Sequence, residues 1–265
     1  MEKVLQFNGV NMSLSICIIC GDEEKYIKKC LESTTWADEI VVVDHVSKDK
    51  TFEIVKEYTD KAYQRPWTGF IDQKNEVLSH ATSDWVFSLD SDEEITEELK
   101  QEIKETIQNP DAKAGYYVPR RSFFHGRWIN NSGFYPDRQL RLFKRIKAKW
   151  VGERVHERVE IDGDISTLKS DLLHYPYKGT VEGLENAANR YSSLQSQNLY
   201  DEGKRYKLWL LLFRPFFKFL EVYLLKRGFL DGIPGFIIAI NSAHSMFLRY
   251  IKLREIEQGY MLKDC

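Results

Sequence analysis

The chain has 265 residues, of which 43% are hydrophobic and 29% are charged. This balance is typical of a folded globular protein and excludes an intrinsically disordered chain. The formal net charge of -2 gives no general attraction to nucleic acid, so we expect no nucleic acid among the partners. Length alone allows one large domain or two small ones.

Four cysteines, Cys17, Cys20, Cys30 and Cys265, do not make a disulfide framework in a chain of this length. Cys17 and Cys20 are spaced like a redox or zinc pair, but they fall in an apolar strand pattern and no second Cys/His pair has zinc spacing. We interpret them as core residues of a protein in a reducing compartment. The first twelve residues lack the apolar segment of a secretory signal peptide, which favours a cytoplasmic location.

Strand-like and helix-like segments alternate through the first hundred residues. The predicted strands are 14–19, 39–44, 61–64 and 85–89, and the predicted helices are 23–33, a segment beginning near residue 50, 70–78 and 96–108. Further strand-like pieces are 115–119, 138–143 and 155–161, and from Val181 the chain looks helical nearly to its end. The alternation predicts an α/β protein with a doubly wound, mostly parallel sheet. We expect one domain over 1–180 and a helical C-terminal extension over 181–265.

The apolar strand at 85–89 runs into two carboxylates, Asp90 and Asp92, with Ser91 between them. Ligands of open α/β sheets bind beyond the carboxyl ends of strands, and Mg²⁺ or Mn²⁺ takes one or two carboxylates plus substrate phosphates. The spacing therefore suggests a metal–diphosphate site. The alternative is an acidic loop in which Ser91 or Asp92 caps the next helix, and the motif alone favours that alternative.

Several motifs together connect the chain to a known family. The segments 14–19, Glu23-Glu24, 37–44 and Ser47-x-Asp49-x-Thr51 resemble the nucleotide-binding half of the family 2 inverting glycosyltransferases, which have the GT-A fold. The segments 64–75, 84–93, 134–143 and 155–157 are similar to the lipopolysaccharide core-biosynthesis glycosyltransferases of Gram-negative bacteria. The likeness runs from about residue 14 to residue 253.

The chain departs from this family's usual pattern at two places. Cys20-Gly21-Asp22 replaces a Thr-Lys-Asn-type turn after the first strand, and His45-Val46 replaces a small Ser-Gly pair after the second. Both places lie where the resemblance puts the nucleotide base and ribose. They leave the identity of the donor open.

The resemblance implies roles for residues at the strand ends. It implies base and ribose contacts for Ile19, Cys20 and Asp44, diphosphate contacts for Arg65 and Lys74, and a Mg²⁺ or Mn²⁺ site at Asp92 and Asp90, with Asp90 alternatively reaching the ribose. A carboxylate accepts the N–H and O–H groups of a nucleoside, and Arg and Lys bind phosphate. The plainer interpretations are a strand-end cap for Asp44 and ordinary surface cations for Arg65 and Lys74.

The acceptor side is expected in the second half of the chain. Inverting transfer needs a general base for the acceptor hydroxyl, and Glu157 is our candidate, with His156 either orienting it or contacting the metal. Glu153 is a nearby competitor and Asp137 a lesser one. We assign Asp137 and Arg138 to the acceptor pocket; Arg138 and Arg141 either bind acceptor phosphates or are surface charges on a strand.

The C-terminal segments 206–220 and 235–240 are apolar and aromatic, with interspersed Lys and Arg. Neither run reaches the ~20 residues that span a bilayer. Such faces suit a helix lying in the membrane surface, and the alternatives are a buried helical hairpin or a dimer interface. We favour peripheral membrane contact because a lipid-linked acceptor would require it.

These features predict an inverting glycosyltransferase that moves glucose or heptose from a nucleotide-diphosphate sugar to a lipid-linked saccharide such as the lipopolysaccharide inner core. It would act at the inner face of the cytoplasmic membrane. Transfer to a polyprenyl phosphate or a protein-linked glycan is a rival activity. A catalytically silent nucleotide-sugar-binding scaffold is a rival of another class, and a homo-oligomer stays open.

Overall fold

The computed structural model describes residues 12–152 and 157–260. The chain divides into two compact units. The first unit is Met1–Arg120 with Arg138–Leu173, and the second is Arg121–Asp137 with His174–Cys265. The segment 121–137 therefore belongs with the helical part of the chain, which the sequence pattern did not indicate. The functional division at residue 180 stays a prediction.

Strands and helices alternate as predicted through the first hundred residues. The elements there are β1 (Leu14–Cys20), α1 (Ile27–Glu32), β2 (Glu39–Asp44), α2 (Thr51–Lys56), β3 (Ala62–Gln64), α3 (Phe70–His80), β4 (Trp85–Asp90), β5 (Glu93–Ile95) and α4 (Glu97–Gln108). The later strands are β6 (Gly115–Phe124), β7 (Arg127–Trp128), β8 (Asp137–Lys144), β9 (Ala148–Val151), β10 (Arg158–Ile161), β11 (Ile165–Thr167) and β12 (Leu172–His174).

The main sheet has the strand order β3-β2-β1-β4-β8-β6-β12-β5. Neighbours among β1 to β4 pair in parallel, whereas β8 pairs antiparallel with β4. The parallel strands therefore end at the same edge of the sheet. In this register Cys20 lies opposite Asp44, and Ile19 lies opposite Asp90, so four residues predicted to bind the donor are brought together there.

Helices cover the sheet of the first unit on both faces, because side chains along a strand alternate in direction. Ile16 and Ile18 of β1 pack in one apolar cluster with Leu31 of α1 and Leu99 of α4. Cys17 packs in a second cluster that includes Val77 of α3 and Val86 of β4. The doubly wound α/β class is thus confirmed. Cys17 and Cys20 are buried and free, as a core interpretation requires.

The second unit is helical from residue 181, which confirms the predicted C-terminal extension. Its long helices are α5 (Val181–Asp201), α6 (Leu208–Leu220) and α7 (Gly232–Glu257), and a π turn (Glu221–Leu225) and a 3₁₀ turn (Gly228–Asp231) lie between α6 and α7. Over the residues described, no helix is both long enough and apolar enough to cross a membrane.

A buried carboxylate ties the segment 121–137 to the turn before α7. Asp231 has no exposed surface, and its oxygens accept hydrogen bonds from the backbone N–H groups of Asn130 and Asn131, both at 3.1 Å. They also accept from the Asn131 side chain at 3.1 Å and the Ser132 hydroxyl at 2.9 Å. A carboxylate held by this many donors explains why 121–137 packs with the helices.

Candidate functional site

The carboxylate of Asp44 closes the turn that follows β2. It is fully buried and accepts the Ser47 backbone N–H and the Gln64 amide, both at 2.9 Å, as well as the Ser47 hydroxyl. Helix α2 begins only at Thr51, so Asp44 does not cap it. Burial, together with Asp44, raises the pKa of the Cys20 thiol well above its usual value, so that thiol is unreactive. Contacts of Asp44 and Cys20 with a base or ribose remain a prediction.

The two departures from the family pattern are in contact. A Cβ atom placed on Gly21 would lie 1.8 Å from Nε2 of His45, so the imidazole occupies the space of a side chain at position 21. The His45 ring also meets Trp67 edge to face, with centroids 5.6 Å apart. Trp67 is 47% exposed, so this edge of the sheet presents an aromatic surface.

Val46 adopts a left-handed backbone conformation with φ of 68°. A β-branched residue in this region is strained, because its Cβ crowds the following carbonyl. The usual family residue here is glycine, which takes this conformation without strain. The side chain of Val46 is 48% exposed, so packing gives little in return.

Asp90, at the end of β4, is held by two cations. Its oxygens lie 3.3 Å from Nζ of Lys74 and 2.5 Å from a guanidinium nitrogen of Arg141. The same nitrogen of Arg141 lies 2.5 Å from Glu93, and Arg120 donates to Glu93 at 3.0 Å. Glu93 is 1% exposed and also accepts the Asp90 backbone N–H at 3.0 Å. Acids and bases therefore form one connected network at the sheet edge.

This network fixes the charge states of its members. Burial raises the pKa of Asp90, but Arg141 and Lys74 outweigh it and hold that pKa well below the usual range. Burial lowers the pKa of Arg141, but the charges of Asp90 and Glu93 outweigh burial. The pKa of Arg141 is therefore raised above its usual value. Asp90 is consequently ionised and Arg141 is cationic at any physiological pH.

Asp92 lies on the turn between β4 and β5, half-buried. The alternative that Ser91 or Asp92 caps a helix is wrong, because β5 follows and Thr96 caps α4, its hydroxyl accepting the Leu99 N–H at 3.1 Å. Within residues 12–152 and 157–260 no group of three or more His, Cys, Asp or Glu side chains could hold a metal. Since Asp90 is engaged by cations, the structure fits a divalent ion held by Asp92 and substrate phosphates better than one enclosed by protein.

The β9–β10 hairpin is bonded to α3 beside this network. The Asn75 amide donates to the Trp150 carbonyl at 2.9 Å and accepts the Trp150 N–H at 3.1 Å. Nζ of Lys74 lies 4.4 Å from the centre of the Trp150 ring, so the cation that contacts Asp90 also contacts the hairpin. Glu157 is half-buried just before β10. His156 and Glu153 lie outside the described residues.

The remaining predicted residues have less direct settings. Arg65 pairs with Glu76 of α3, and its backbone N–H donates to the Asp44 carbonyl at 2.9 Å. Asp137 is half-buried and Arg138 is exposed, both at the start of β8. The expectation of a surface charge is wrong for Arg141, which is 3% exposed and binds carboxylates of its own chain. Glu93 and Arg120 belong to the network without having been predicted, although Glu93 directly follows Asp92.

Comparison with known proteins identifies the family of this chain. The family model for glycosyl transferase family 2 matches residues 15–160. A lipopolysaccharide core biosynthesis glycosyltransferase, LpsC of Rhizobium meliloti, is 32% identical over 250 residues, covering 91% of this chain and 92% of LpsC. An uncharacterised glycosyltransferase of Rickettsia typhi, RT0209, is 32% identical over 254 residues, covering 92% of this chain and 87% of that protein.

The chain belongs to glycosyl transferase family 2. Among solved structures, residues 1–349 of TarS from S. aureus are similar over 95% of this chain and 93% of that one, at 17% identity and a TM-score of 0.48. A likeness this distant carries nothing about substrates. Glycosyl transfer as the reaction class thus follows from the family model and the sequence relatives, and the finer assignments below are proposals.

Proposed function

We propose that the protein transfers glucose or heptose, with inversion, from a nucleotide-diphosphate sugar to a lipid-linked saccharide such as the lipopolysaccharide inner core. The name of the relative LpsC supports this acceptor class. The reaction would take place at the inner face of the cytoplasmic membrane. Transfer to a polyprenyl phosphate or a protein-linked glycan is the rival activity, and a silent nucleotide-sugar-binding scaffold is the rival class.

One line of contacts carries the proposal. It runs from Asp90 through Lys74 to Trp150 on β9, the strand that precedes Glu157 in the β9–β10 hairpin. These contacts support the proposal because Asp90, the proposed diphosphate end, and Glu157, the proposed base, both belong to the first compact unit. A scaffold that only bound the donor would have no need of the second carboxylate.

Each residue then has a role in the proposed reaction. Ile19, Cys20 and Asp44 bind the base and ribose, Arg65 and Lys74 bind the diphosphate, and Asp137 and Arg138 bind the acceptor. Glu157 takes the proton of the acceptor hydroxyl, and His156 orients Glu157. The oxygen of that hydroxyl attacks the anomeric carbon from the face opposite the leaving nucleoside diphosphate. Asp92, with Asp90 beside it, would hold Mg²⁺ or Mn²⁺, which supplies Lewis-acid neutralisation of the diphosphate when bound.

Sugar transfer by purified Glu157→Gln protein tests the assignment. Glutamine nearly keeps the shape of glutamate but cannot take a proton. We expect turnover to fall about 10²–10⁴-fold, while calorimetry with Mn²⁺ shows unchanged affinity for the nucleoside diphosphate. Asp92→Ala should differ from Glu157→Gln, because its main loss should be in Mn²⁺-dependent affinity for the nucleoside diphosphate.

Glu160→Gln is the matched control, because Glu160 is exposed on β10 three residues further along. It should leave turnover unchanged, and Glu153→Gln should have a small effect. Full turnover in Glu157→Gln would move the base to Glu153 or Asp137. Nucleotide binding without transfer or hydrolysis for any donor in wild-type protein would favour the silent scaffold.

The apolar surface of α6 supports peripheral membrane contact. No residue of α6 is buried, which contradicts a buried hairpin for this helix. Its exposed apolar residues recur every fourth position in two adjacent rows, at Leu208, Leu212 and Phe216 and at Trp209, Phe213 and Phe217. Lys207 and Arg214 are exposed among them. Aromatic and leucine side chains interspersed with cations suit an anionic lipid surface, and a second copy of the chain is the alternative occupant.

A further inference from the structure

A separate cavity of about 210 Å³ lies within the second unit. Gln195 of α5 and Asn241, Ser242, Ser245 and Arg249 of α7 contribute to its lining. Pockets for drug-sized ligands are usually larger, at about 300–1,000 Å³. This cavity therefore has room for a small polar ligand of about the size of one phosphorylated sugar ring.

Polar residues interrupt the apolar sequence of α7 at this cavity. Apolar segments precede and follow them in the helix, at Phe236–Ile240 and Phe247-Leu248. Asn241, Ser242, Ser245 and Arg249 interrupt it at spacings of one, three and four residues, which put them on one helix face. Neither helix formation nor packing requires an arginine on this half-buried face, and removing an unpaired charge even partly from water is costly.

Arg249 has no carboxylate partner within the described part of the chain. One of its terminal nitrogens donates to the Gln195 side-chain oxygen, and its Nε is buried without any hydrogen-bond partner. Burial lowers the pKa of Arg249, and the charge of Arg214 lowers it further, with only Tyr250 acting in the other direction. Lys218, which also lines the cavity, differs because it pairs with Glu221 at 3.0 Å.

We propose that this cavity binds a sugar phosphate, with Arg249 on the phosphate and the amide and hydroxyl groups of Gln195, Asn241, Ser242 and Ser245 on the sugar. A guanidinium presents parallel N–H donors to phosphate oxygens. Amides and hydroxyls both donate to and accept from sugar hydroxyls. The ligand is a free sugar phosphate or the phosphorylated sugar headgroup of a lipid. The site is independent of the transfer reaction assigned to the first unit.

Calorimetric titration of the full-length protein tests this site. Glucose 6-phosphate should bind more tightly than either inorganic phosphate or glucose. Arg249→Gln should weaken that binding about ten- to hundredfold, as loss of a charge-assisted hydrogen bond predicts. Arg254→Gln is the matched control, because it removes the same charge from an exposed position of the same helix and should leave the affinity unchanged.

Ser245→Phe provides a second route if Arg249→Gln does not fold. It keeps the arginine and fills the cavity, so it should also abolish binding in protein whose circular dichroism melt is cooperative. Glucose 6-phosphate that binds wild type and both variants equally, or that does not bind wild type, would overturn the proposal.

Vesicles distinguish the two sources of ligand. Flotation is measured with vesicles of phosphatidylcholine that do or do not contain phosphatidylinositol 4-phosphate. A dependence on both the phosphorylated headgroup and Arg249 assigns the cavity to a lipid. Arg249-dependent binding of glucose 6-phosphate alone assigns it to a free sugar phosphate.

Discussion

Phe87 and Phe217 occupy opposite environments in the two compact units. Phe87, in the first unit, has no exposed surface, whereas Phe217, in the second unit, is 60% exposed. Their charged residues differ in the same way. Arg141 is buried against two carboxylates, while Arg249 is half-buried with a pKa lowered by burial and by Arg214. In the first unit the buried guanidinium is paired with carboxylates of the same unit, whereas the second unit has an exposed apolar helix surface and a half-buried guanidinium that pairs with no carboxylate among the described residues.

The largest effect is expected from removing the cation at the centre of the buried network. Arg141→Met would leave Asp90 and Glu93 without their shared partner, and we expect the free energy of unfolding to fall by about 3–5 kcal/mol in urea titration. Arg158→Met, which removes an exposed arginine paired with Glu160, should cost about 0–1 kcal/mol. Similar losses for both variants would mean that the network is not a buried ion pair in solution.

The two phenylalanines allow a comparison with identical chemistry. Phe87→Ala should lower the free energy of unfolding by about 3–5 kcal/mol because it leaves a cavity in the core. Phe217→Ala should change it by no more than about 0.5 kcal/mol, since most of that ring is exposed and its aromatic neighbour Phe216 is exposed as well.

Vesicle binding gives Phe217 a second measurement. Cosedimentation with anionic vesicles should fall in Phe217→Ala, and in wild type it should weaken with salt, because exposed charges are screened over ~8–10 Å at physiological ionic strength. Phe87→Ala protein that is still folded should sediment like wild type. A dimer that dissociates in Phe217→Ala, with no vesicle binding by wild type, would make this surface an interface between copies.

Acid titration tests whether the first unit also satisfies its peripheral carboxylates. Burial raises the pKa of Glu39, but hydrogen bonds from Lys61, Ser15 and Thr82 outweigh it and lower that pKa from 4.5 to about 2. A lowered pKa stabilises the fold above the unfolded value, and this contribution is lost as the pH falls from 4.5 to about 2. Glu39→Gln should flatten the loss of stability in that window, whereas Glu98→Gln, at an exposed position, should not.

The smallest effect concerns the strained residue of the first unit. Asparagine tolerates a left-handed backbone better than valine, so Val46→Asn should raise the free energy of unfolding by about 1 kcal/mol in chemical denaturation. Ile146→Asn makes a similar change at a residue that is 83% exposed and has no positive φ, and it should give no gain. If both variants raised the free energy of unfolding, the cause would be the replacement of an exposed apolar side chain by a polar one and not the relief of backbone strain.

The sequence predicted those parts of the fold that depend on local pattern. Strand β2 has the predicted limits because an apolar run ends in an aspartate that closes the next turn, and the helical extension follows from long apolar periodicity. Strand β5 was not predicted, because a three-residue strand is fixed by its neighbours in the sheet rather than by its own composition. Nor was the packing of 121–137, which depends on Asp231, about a hundred residues away.

The candidate site was predictable by position and less so by contact. The strand-end register that joins Cys20, Asp44 and Asp90 follows from parallel pairing of apolar strands. The burial of Arg141 could not be predicted from the sequence, because a strand with alternating charges has the pattern of a half-exposed strand. Its guanidinium is buried because it donates to the carboxylates of Asp90 and Glu93. The distance between Glu157 and a bound acceptor depends on where the acceptor lies, and the sequence pattern carries no information on that position.

The contact between Gly21 and His45 has a consequence for how this chain can change. The imidazole fills the volume that any side chain at position 21 would need, with its nearest atom 1.8 Å from the Cβ position. The two positions are therefore coupled: a side chain at 21 requires the His45 imidazole to leave the place it holds beside Trp67. A mutational path from the usual family pattern to this one meets no such conflict if it passes through the intermediate that is small at both positions, and the reverse path can use the same intermediate.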